Sequence, residues 1–288
     1  MGTYVVTGAA SGMGAAVAAQ LRADGHVVIG VDRDETDVVA DLSTPAGRAA
    51  AAIEVLQRCD GVLAGAVLAA GVGPAPGREQ MILEVNYLGV TELLDRLRPA
   101  LARGHKAKVV VFGSNSTTAT PFMSKSVIRR LVATGDTERA ARRIRRRGAM
   151  LSGPLAYATS KTAVAHWARM RAVSNEWAAA GIRVNIIAPG PVMTPLLRAQ
   201  LDGAEARNVK SFPVPVREYG TPEQLAAWVA VMLSDAADFM TGAVITVDGG
   251  TEALLRTREW PTPLPLRGVP KMLWRMYRAP KEGQVAQY

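Results

Sequence analysis

Short apolar runs rich in β-branched residues alternate along the chain with longer alanine-rich stretches whose apolar residues recur at helical spacing. The short runs lack polar alternation, which is typical of parallel strands covered by helices on both faces. Thr44-Pro45 and Thr221-Pro222 each put a capping hydroxyl before a proline at a helix start. The predicted strands are Tyr4–Thr7, Val27–Val31, Val38–Asp41, Val62–Leu68, Val109–Phe112, Val184–Ile187 and Ala243–Val247. The predicted helices are Met13–Asp24, Pro45–Arg58, Glu79–Arg103, Leu155–Ala180 and Pro222–Leu233.

This alternation predicts an α/β fold: a doubly wound, seven-stranded parallel sheet with helices on both faces, in a single domain. We assign residues 1–252 to this domain and residues 253–288 to a C-terminal extension. Residues 115–153 are too long for an ordinary loop and are interpreted as a helical insertion. Within it, the segment Gly135–Gly148 predicts a short helix with Asp136 as its cap.

The composition is that of a globular protein, with 49% hydrophobic and 20% charged residues among 288. A single cysteine, Cys59, cannot form an internal disulfide and favours a cytoplasmic location. The most apolar stretch, Gly61–Gly73, is shorter than a bilayer requires, so we expect neither a membrane span nor a signal peptide. The extension carries KMLWRMYR at Lys271–Arg278, for which we weigh a substrate cap, a membrane-surface contact and packing against a subunit.

The net charge of +9 comes from two attachments rather than from the body of the fold. Nine basic and two acidic residues lie between Asn115 and Ala156, and seven basic and three acidic residues lie after Thr251. The rest of the chain is slightly acidic, and Arg142–Arg147 has no interleaved aromatic residues, so we expect no nucleic-acid partner. The spacing of the histidines predicts no metal site; they are His26, His105 and His166.

A glycine-rich segment, TGAASGMG, follows the first strand and opens the first helix. Its glycines, Gly8, Gly12 and Gly14, allow backbone N–H groups and the helix N-terminus to approach a pyrophosphate. Asp32 ends the second strand, where a carboxylate binds free ribose hydroxyls and repels a 2′-phosphate. The cofactor predicted is therefore NAD, although the adjacent Arg33 is a feature that favours NADP.

The fifth strand delivers Ser114 to the carboxyl edge of the sheet, where doubly wound folds bind ligands. Tyr157 and Lys161 are four residues apart on a helix and therefore share a face. We expect the Lys161 ammonium and a positive nicotinamide to lower the pKa of Tyr157, while Ser114 holds the substrate oxygen. Together these residues predict hydride transfer between nicotinamide and a carbonyl or secondary-alcohol carbon, with Tyr157 as the acid/base.

From about Tyr4 to Gly250 these motifs, in this order, resemble the short-chain dehydrogenase/reductase family. The resemblance implies a catalytic tetrad of Asn86, Ser114, Tyr157 and Lys161, in which the backbone of Asn86 holds a proton-relaying water and Ser114 and Tyr157 contact substrate. The cofactor-binding residues it implies are Gly8, Ser11, Gly12, Met13, Gly14, Asp32, Asp41, Leu42, Ala70, Gly71, Tyr157, Lys161, Pro189, Gly190 and Thr194.

Two features depart from the family pattern. The family's asparagine-asparagine-alanine-glycine signature is Leu68-Ala69-Ala70-Gly71 in this chain, which removes a strand-bracing hydrogen bond. The separation of Ser114 from Tyr157, 43 positions, is longer than is usual in the family.

Within the family, the long insertion and the segments Ala40–Arg48, Ala69–Pro74, Val85–Asp95 and Ile187–Leu197 resemble the 3α-hydroxysteroid dehydrogenase/carbonyl reductase branch. This implies a lipophilic, steroid-like secondary alcohol or ketone as substrate. The alternatives are a dehydrogenase of terpenoid or xenobiotic alcohols, an acyl-thioester reductase, which Asp32 opposes, and a non-catalytic dinucleotide sensor.

The insertion is expected to form part of the substrate rim, with a solvated basic helix of no function as the alternative. It lies beside two helices that many family members use for dimerisation. We therefore expect a homodimer or homotetramer that uses the Pro222–Gly250 region instead.

Overall fold

The structure is a computed structural model that describes residues 1–203, 212–259 and 265–277. Its centre is a seven-stranded sheet, parallel throughout, in the order β3-β2-β1-β4-β5-β6-β7. The sheet therefore confirms the predicted doubly wound α/β fold. The strands are β1 (Thr3–Thr7), β2 (Val27–Asp32), β3 (Val38–Val39), β4 (Gly65–Leu68), β5 (Lys108–Phe112), β6 (Arg183–Pro189) and β7 (Val244–Val247).

Helices pack on both faces of this sheet and supply the crossovers between its strands. They are α1 (Gly12–Ala23), α2 (Pro45–Arg58), α3 (Glu79–Leu83), α4 (Gly89–Arg103), α5 (Ser116–Ala119), α6 (Lys125–Thr134), α7 (Thr137–Arg145), α8 (Ala149–Arg171), α9 (Pro195–Asp202), α10 (Pro222–Leu233), α11 (Thr251–Leu255) and α12 (Val269–Tyr277). Shorter helical turns are the π turns Glu84–Leu88 and Asn175–Ala179 and the 3₁₀ turns Asp235–Ala237 and Leu266–Gly268.

Two separate apolar cores explain why the strands are hydrophobic without alternation. Val109 and Val111 of β5 point into one core, whereas Val110 and Phe112 point into the other. Successive side chains of a strand face opposite sides, so a strand buried on both faces needs apolar residues at every position. All four of these side chains are buried.

The helix that carries Tyr157 begins earlier and ends earlier than predicted. The prediction placed its start after Pro154, but α8 runs from Ala149, following Gly148 at a φ of +91°. Pro154 lacks the N–H that would bond the carbonyl of Met150, and that residue lies in the solvent-exposed first turn, where helix carbonyls are easily hydrated. At its other end, the Ser174 hydroxyl donates a hydrogen bond to the carbonyl of Arg171, and α8 stops there.

The insertion contains the predicted helix α7 and two further helices, α5 and α6, that were not predicted. Asp136 caps α7 as expected, since its Oδ1 accepts a hydrogen bond of 2.9 Å from the N–H of Arg139. Helix α6 packs against α8, while α7 packs against α3. The proposed role of this segment as a substrate rim stays a prediction.

The C-terminal extension is described in part. Its helix α12 exposes Leu273, Met276 and Tyr277. The parts of the extension at 260–264 and 278–288, including the last residue of KMLWRMYR, lie outside the described residues. Among the described residues, no helix has the length and apolar character needed to cross a bilayer.

Candidate active site

The glycine turn between β1 and α1 is packed too closely to accept side chains. Gly8 has a φ of +72°, and a Cβ added there would lie 2.8 Å from the backbone nitrogen of Ala70. A Cβ on Gly14 would lie only 2.1 Å from the carbonyl oxygen of Gly8. The glycines therefore let the first turn of α1 pack against the end of β1, with its backbone open to a ligand phosphate.

Asp32 lies at the end of β2 and is fastened to the glycine turn. Its Oδ2 accepts a hydrogen bond of 2.9 Å from the N–H of Ala10, and its Oδ1 accepts one of 2.7 Å from Arg33. The carboxylate is thus fixed beside the turn, partly exposed, where it can accept further hydrogen bonds from ribose hydroxyls.

The loop after β6 closes over the other side of the glycine turn. A Cβ on Gly12 would lie 3.3 Å from the methyl group of Thr194, so these two predicted residues are neighbours. Thr194 also caps α9, since its hydroxyl accepts a hydrogen bond of 3.3 Å from the N–H of Leu197. Pro189 ends β6, and Gly190 packs so tightly that a Cβ would lie 2.7 Å from Asp248.

Two predicted residues of α1 have different environments. Ser11 stands at the N-cap, but its hydroxyl caps no backbone N–H. The side chain of Met13 packs against the core that contains Phe112. Ser11 is therefore exposed to a ligand, whereas Met13 can contribute only its backbone to a phosphate site.

Asp41 and Leu42 follow β3 and start the approach to α2. The carboxylate of Asp41 accepts a hydrogen bond of 2.9 Å from the N–H of Ser43, and hydrogen bonding to Ser43 holds its pKa below the usual range. Leu42 is buried, and its carbonyl accepts a hydrogen bond of 3.1 Å from Arg48. Asp41 therefore exposes a polar side chain, whereas the buried Leu42 side chain and its carbonyl hold this segment against the rest of the fold.

Ala70 and Gly71 extend β4 towards the catalytic residues. The hydroxyl of Thr7 accepts a hydrogen bond of 3.1 Å from the N–H of Ala70, which braces the two neighbouring strands. A Cβ on Gly71 would lie 3.3 Å from the Asn86 side chain and 3.6 Å from Lys161 Nζ. The chain lacks the family's asparagine signature at this position, and the hydrogen bond to Thr7 connects the ends of β1 and β4 instead.

Ser114, Tyr157 and Lys161 come together at the carboxyl end of β5. Ser114 is buried, and its hydroxyl lies near enough to the phenol of Tyr157 to lower the pKa of that phenol. Lys161 Nζ lies 5.9 Å from the centre of the Tyr157 ring and donates a hydrogen bond of 2.8 Å to the carbonyl of Phe112. The helix spacing thus brings phenol and ammonium to one site, across an insertion that separates them from the serine in sequence.

The protein's own residues do not lower the pKa of Tyr157 as the sequence suggested. Burial raises the pKa of this phenol, and the hydrogen bond from Ser114 offsets only part of the increase. Burial also lowers the pKa of Lys161 to about 8. Burial disfavours the phenolate form of Tyr157 and the ammonium form of Lys161, so both groups are charged less readily than the sequence suggested.

Asn86 lies in the π turn between α3 and α4, and its buried side chain is fully engaged. It accepts a hydrogen bond of 2.8 Å from the N–H of Val72 and donates bonds to the carbonyl of Val72 and the hydroxyl of Ser160. Its side chain therefore fixes the π turn against β4 and α8. A role of its backbone in holding a water stays a prediction.

The insertion is bonded directly to that π turn. The Thr137 hydroxyl donates a short hydrogen bond to Glu84, two residues before Asn86, and Arg48 forms an ion pair of 3.1 Å with the same carboxylate. The phenol of Tyr87 reaches the carbonyl of Val132 in α6 at 3.4 Å. No local sequence pattern indicates these contacts, because they join segments far apart in the chain.

Asp248 is another residue of this site that the sequence did not predict. Its Oδ2 accepts hydrogen bonds from Asn115, at 3.1 Å, and from the N–H of Glu252, at 2.8 Å. These bonds tie the residue after Ser114 to the end of β7. The signal available was its position, since Asp248 follows β7 at the same sheet edge as the predicted site.

A cavity of about 260 Å³ opens beside this site, between the loop that follows β4 and helix α9. Its walls include Val72, Pro74, Leu196 and Ala199. The backbone at Gly71, next to Val72, approaches Lys161. This largely apolar cavity, which also has Arg78 and Gln200 in its walls, suits the body of a lipophilic molecule.

The chain is similar along most of its length to 3-alpha-hydroxysteroid dehydrogenase/carbonyl reductase of Comamonas testosteroni, with 38% identity over 90% of this chain and 100% of that protein. This chain belongs to the short-chain dehydrogenase/reductase family. The family pattern described as enoyl-(acyl carrier protein) reductase matches residues 116–252 of this family member.

Two solved structures agree with this assignment. The crystal structure of the 3-alpha-hydroxysteroid dehydrogenase from Pseudomonas sp. B-0831, complexed with NADH, has a TM-score of 0.83 and 40% identity, covering 89% of this chain and 99% of that one. A short-chain type dehydrogenase/reductase from Mycobacterium ulcerans has a TM-score of 0.67 and 26% identity, covering 89% of this chain and 94% of that one.

Proposed function

We propose that this family member is an NAD(H)-dependent oxidoreductase that interconverts a secondary alcohol and a ketone on a lipophilic substrate. The observation that carries the proposal is the grouping of Ser114, Tyr157 and Lys161, with Lys161 Nζ 5.9 Å from the centre of the Tyr157 ring, at the sheet edge that also bears the glycine turn. Relatives named as a 3-alpha-hydroxysteroid dehydrogenase/carbonyl reductase and a 3-alpha-hydroxysteroid dehydrogenase complexed with NADH support it.

The residues present fit a dinucleotide. The closely packed turn at Gly8 and Gly14 leaves backbone N–H groups open for a pyrophosphate, and Asp32 offers a carboxylate for ribose hydroxyls while opposing a 2′-phosphate. Thr194 brings the loop after β6 against the same turn, next to Gly12. When bound, NAD(H) supplies the hydride donor or acceptor.

The chain's own residues handle the proton and the substrate oxygen. In oxidation, Tyr157 accepts the hydroxyl proton, and in reduction it returns a proton to the carbonyl oxygen. Ser114 donates a hydrogen bond that holds this oxygen in place. Lys161, anchored on the carbonyl of Phe112, stabilises the phenolate through its positive charge, which works against the burial that raises the pKa of Tyr157.

A steroid-like alcohol or ketone is the substrate class that we infer. The cavity near the site has largely apolar walls, and the relative from Comamonas testosteroni is named a 3-alpha-hydroxysteroid dehydrogenase/carbonyl reductase. Terpenoid and xenobiotic alcohols present a similar apolar body with one oxygen, so they form the second candidate class.

The test is an NADH-linked activity screen over steroids, terpenoids and aromatic ketones, with NADPH as the parallel cofactor. Turnover of hydroxysteroids with NAD(H), at a higher kcat/KM than for the other classes, supports the proposal. Higher values for terpenoids support the second candidate. If the protein binds NADH but turns over no compound in the panel, it is a dinucleotide sensor and the enzymatic proposal fails.

We also propose that two or four copies of this chain associate through the Pro222–Gly250 region. Helix α10 and the residues around β7 expose large apolar side chains there, at Trp228, Val231, Phe239 and Val244. Light scattering of the Trp228→Glu variant should show a smaller species than the parent protein. An unchanged mass would show that the interface does not use this region.

Two further assignments rest on lesser observations. We place the protein in the cytoplasm because its single cysteine, Cys59, is free and buried. For α12, which exposes Leu273 and Met276, a subunit contact and a membrane-surface contact both remain candidates. Vesicle flotation of a chain truncated before α12 distinguishes them.

A further inference from the structure

A second cavity lies within the insertion, away from the catalytic residues. It has a volume of about 420 Å³ and lies between α6, α7 and α8. Helix α8 contributes Leu155 and Thr159, four residues apart on one face. Tyr157, between them in sequence, is turned about 200° around the helix axis, because each residue adds about 100°. The cavity and the catalytic phenol therefore lie on opposite sides of α8.

Three arginines, Arg143, Arg146 and Arg147, line this cavity. No hydrogen bond or ion pair joins their guanidinium groups to other residues in the described part of the chain. Two neighbouring arginines differ, since Arg142 pairs with Glu138 at 3.4 Å and Arg145 with Glu79 at 3.8 Å.

No acidic side chain is among the described residues that line the cavity. The insertion thus leaves three cations around one concave surface without a counter-charge from its own residues. Guanidinium groups form bidentate hydrogen bonds with carboxylate and phosphate, so this arrangement favours an anion.

The floor of the cavity is apolar. Val127, Ile144 and Leu155 line it, and each of these side chains is buried in the protein. Phe122 also lines the cavity and is 75% exposed, with a backbone φ of +63°. A positive φ is unfavourable for a bulky residue, and such strain is concentrated at functional sites. The cavity therefore offers an exposed aromatic ring and a hydrophobic floor beside its cations.

We propose that this cavity binds a small amphiphilic anion, in which a carboxylate, sulfate or phosphate is joined to a hydrocarbon body. The headgroup pairs with Arg143, Arg146 and Arg147, while the hydrocarbon packs on the apolar floor and against Phe122. The volume falls within the range of small-molecule sites. The site is separate from the one that the alcohol or ketone occupies.

The first experiment is calorimetric titration of the full chain with decanoate, at concentrations below micelle formation, against 1-decanol and acetate. Decanoate should bind more tightly than either, because only decanoate has both the charge and the hydrocarbon. Equal binding of 1-decanol would show an ordinary hydrophobic cavity and would overturn the proposal. Equal binding of acetate, or of inorganic phosphate, would show a headgroup site without a hydrocarbon pocket and would overturn it as well.

The second experiment compares two variants with the same loss of charge. The triple variant Arg143→Gln, Arg146→Gln, Arg147→Gln removes the cations of the cavity. The matched control, Arg130→Gln, Arg139→Gln, Arg142→Gln, removes three from the same insertion that do not line it. We expect decanoate to bind at least about tenfold more weakly to the first variant, about 1.4 kcal/mol, and as the parent does to the control. Equal losses of decanoate affinity in both variants would show that the effect comes from net charge alone and would overturn the proposal.

Two measurements locate the ligand and separate a free anion from a lipid surface. The methyl resonances of Ile144 and Leu155 should shift on addition of decanoate, and those of Val231, on the far surface, should not. Thermal melting of each variant establishes that it folds. If the chain binds phosphatidylglycerol vesicles through the same arginines but gives no binding to free decanoate, the face is a membrane contact and the proposal is wrong.

Discussion

The two ends of the candidate site are built by different means. At the cofactor end, the constraints are local and lie in the backbone: Gly14 is packed against Gly8, and Asp32 is bonded to Ala10. At the catalytic end, the buried Ser114 and the partly buried Tyr157 come from segments separated by the insertion. At the cofactor end, close local packing determines which residue types fit. At the catalytic end, burial determines the pKa values of Tyr157 and Lys161. The first can be recognised in a sequence, and the second needs the fold.

The largest effect should come from Tyr157→Phe, which removes only the hydroxyl of the catalytic end. We expect kcat to fall by about 10²–10⁴-fold, the usual contribution of a positioned general acid or base. NADH affinity, measured by fluorescence titration, should change little, because the residues proposed to bind most of the cofactor, the glycine turn and Asp32, lie at the other end. Tyr277→Phe, at an exposed tyrosine of α12, is the control. Loss of NADH binding in Tyr157→Phe would show that the two ends are not separable.

Gly14→Ala should break the cofactor end while leaving the catalytic groups in place. The new Cβ would lie 2.1 Å from the Gly8 carbonyl oxygen, so α1 must move away from β1. We expect a loss of stability of about 1–3 kcal/mol, typical of overpacking, with strongly weakened NADH binding. Gly89→Ala, whose Cβ would have its nearest neighbour at 3.4 Å, is the matched control for thermal melting and titration. Normal NADH binding by Gly14→Ala would contradict the assigned phosphate site.

Asp32→Ala should change cofactor choice rather than catalysis. Removing the carboxylate takes away its hydrogen bonds to the ribose and its repulsion of a 2′-phosphate. We expect the ratio of kcat/KM for NAD to that for NADP to fall by about tenfold or more, the size of one charge-assisted hydrogen bond. Asp34→Ala, at an exposed carboxylate two residues away, should leave the ratio unchanged. An unaltered ratio in Asp32→Ala would remove the argument for NAD from this residue.

The same contrast explains what could be predicted from sequence. The strands, α2 and α10 follow from runs of apolar residues and helix caps that are local in the chain, and the structure has them near their predicted bounds. The predicted start of α8, Leu155, is later than the actual start at Ala149, because a proline near a helix start, here Pro154, does not end the helix. The bonds of Glu84 to Thr137 and of Asp248 to Asn115 join distant segments, and no local pattern records them.

The pKa of Lys161 gives the smallest effect and separates burial from function. Its folded-state pKa of about 8 lies below the ordinary lysine value of 10.5, so the unfolded chain binds more protons between these pH values. The free energy of unfolding of the parent protein should therefore rise as the pH increases through this window. Lys161→Met lacks the buried amine and should melt at a higher temperature than the parent below about pH 8.

That advantage of Lys161→Met should narrow as the pH rises from about 8 towards 10.5, although the variant has lost its catalytic ammonium. Lys125→Met, at an exposed lysine, controls for a general effect of the substitution. A difference in melting temperature that stays constant over this range would mean that burial does not depress the Lys161 pKa. The charge state of the catalytic end would then depend on contacts rather than on burial, and the contrast between the two ends would lose its physical basis.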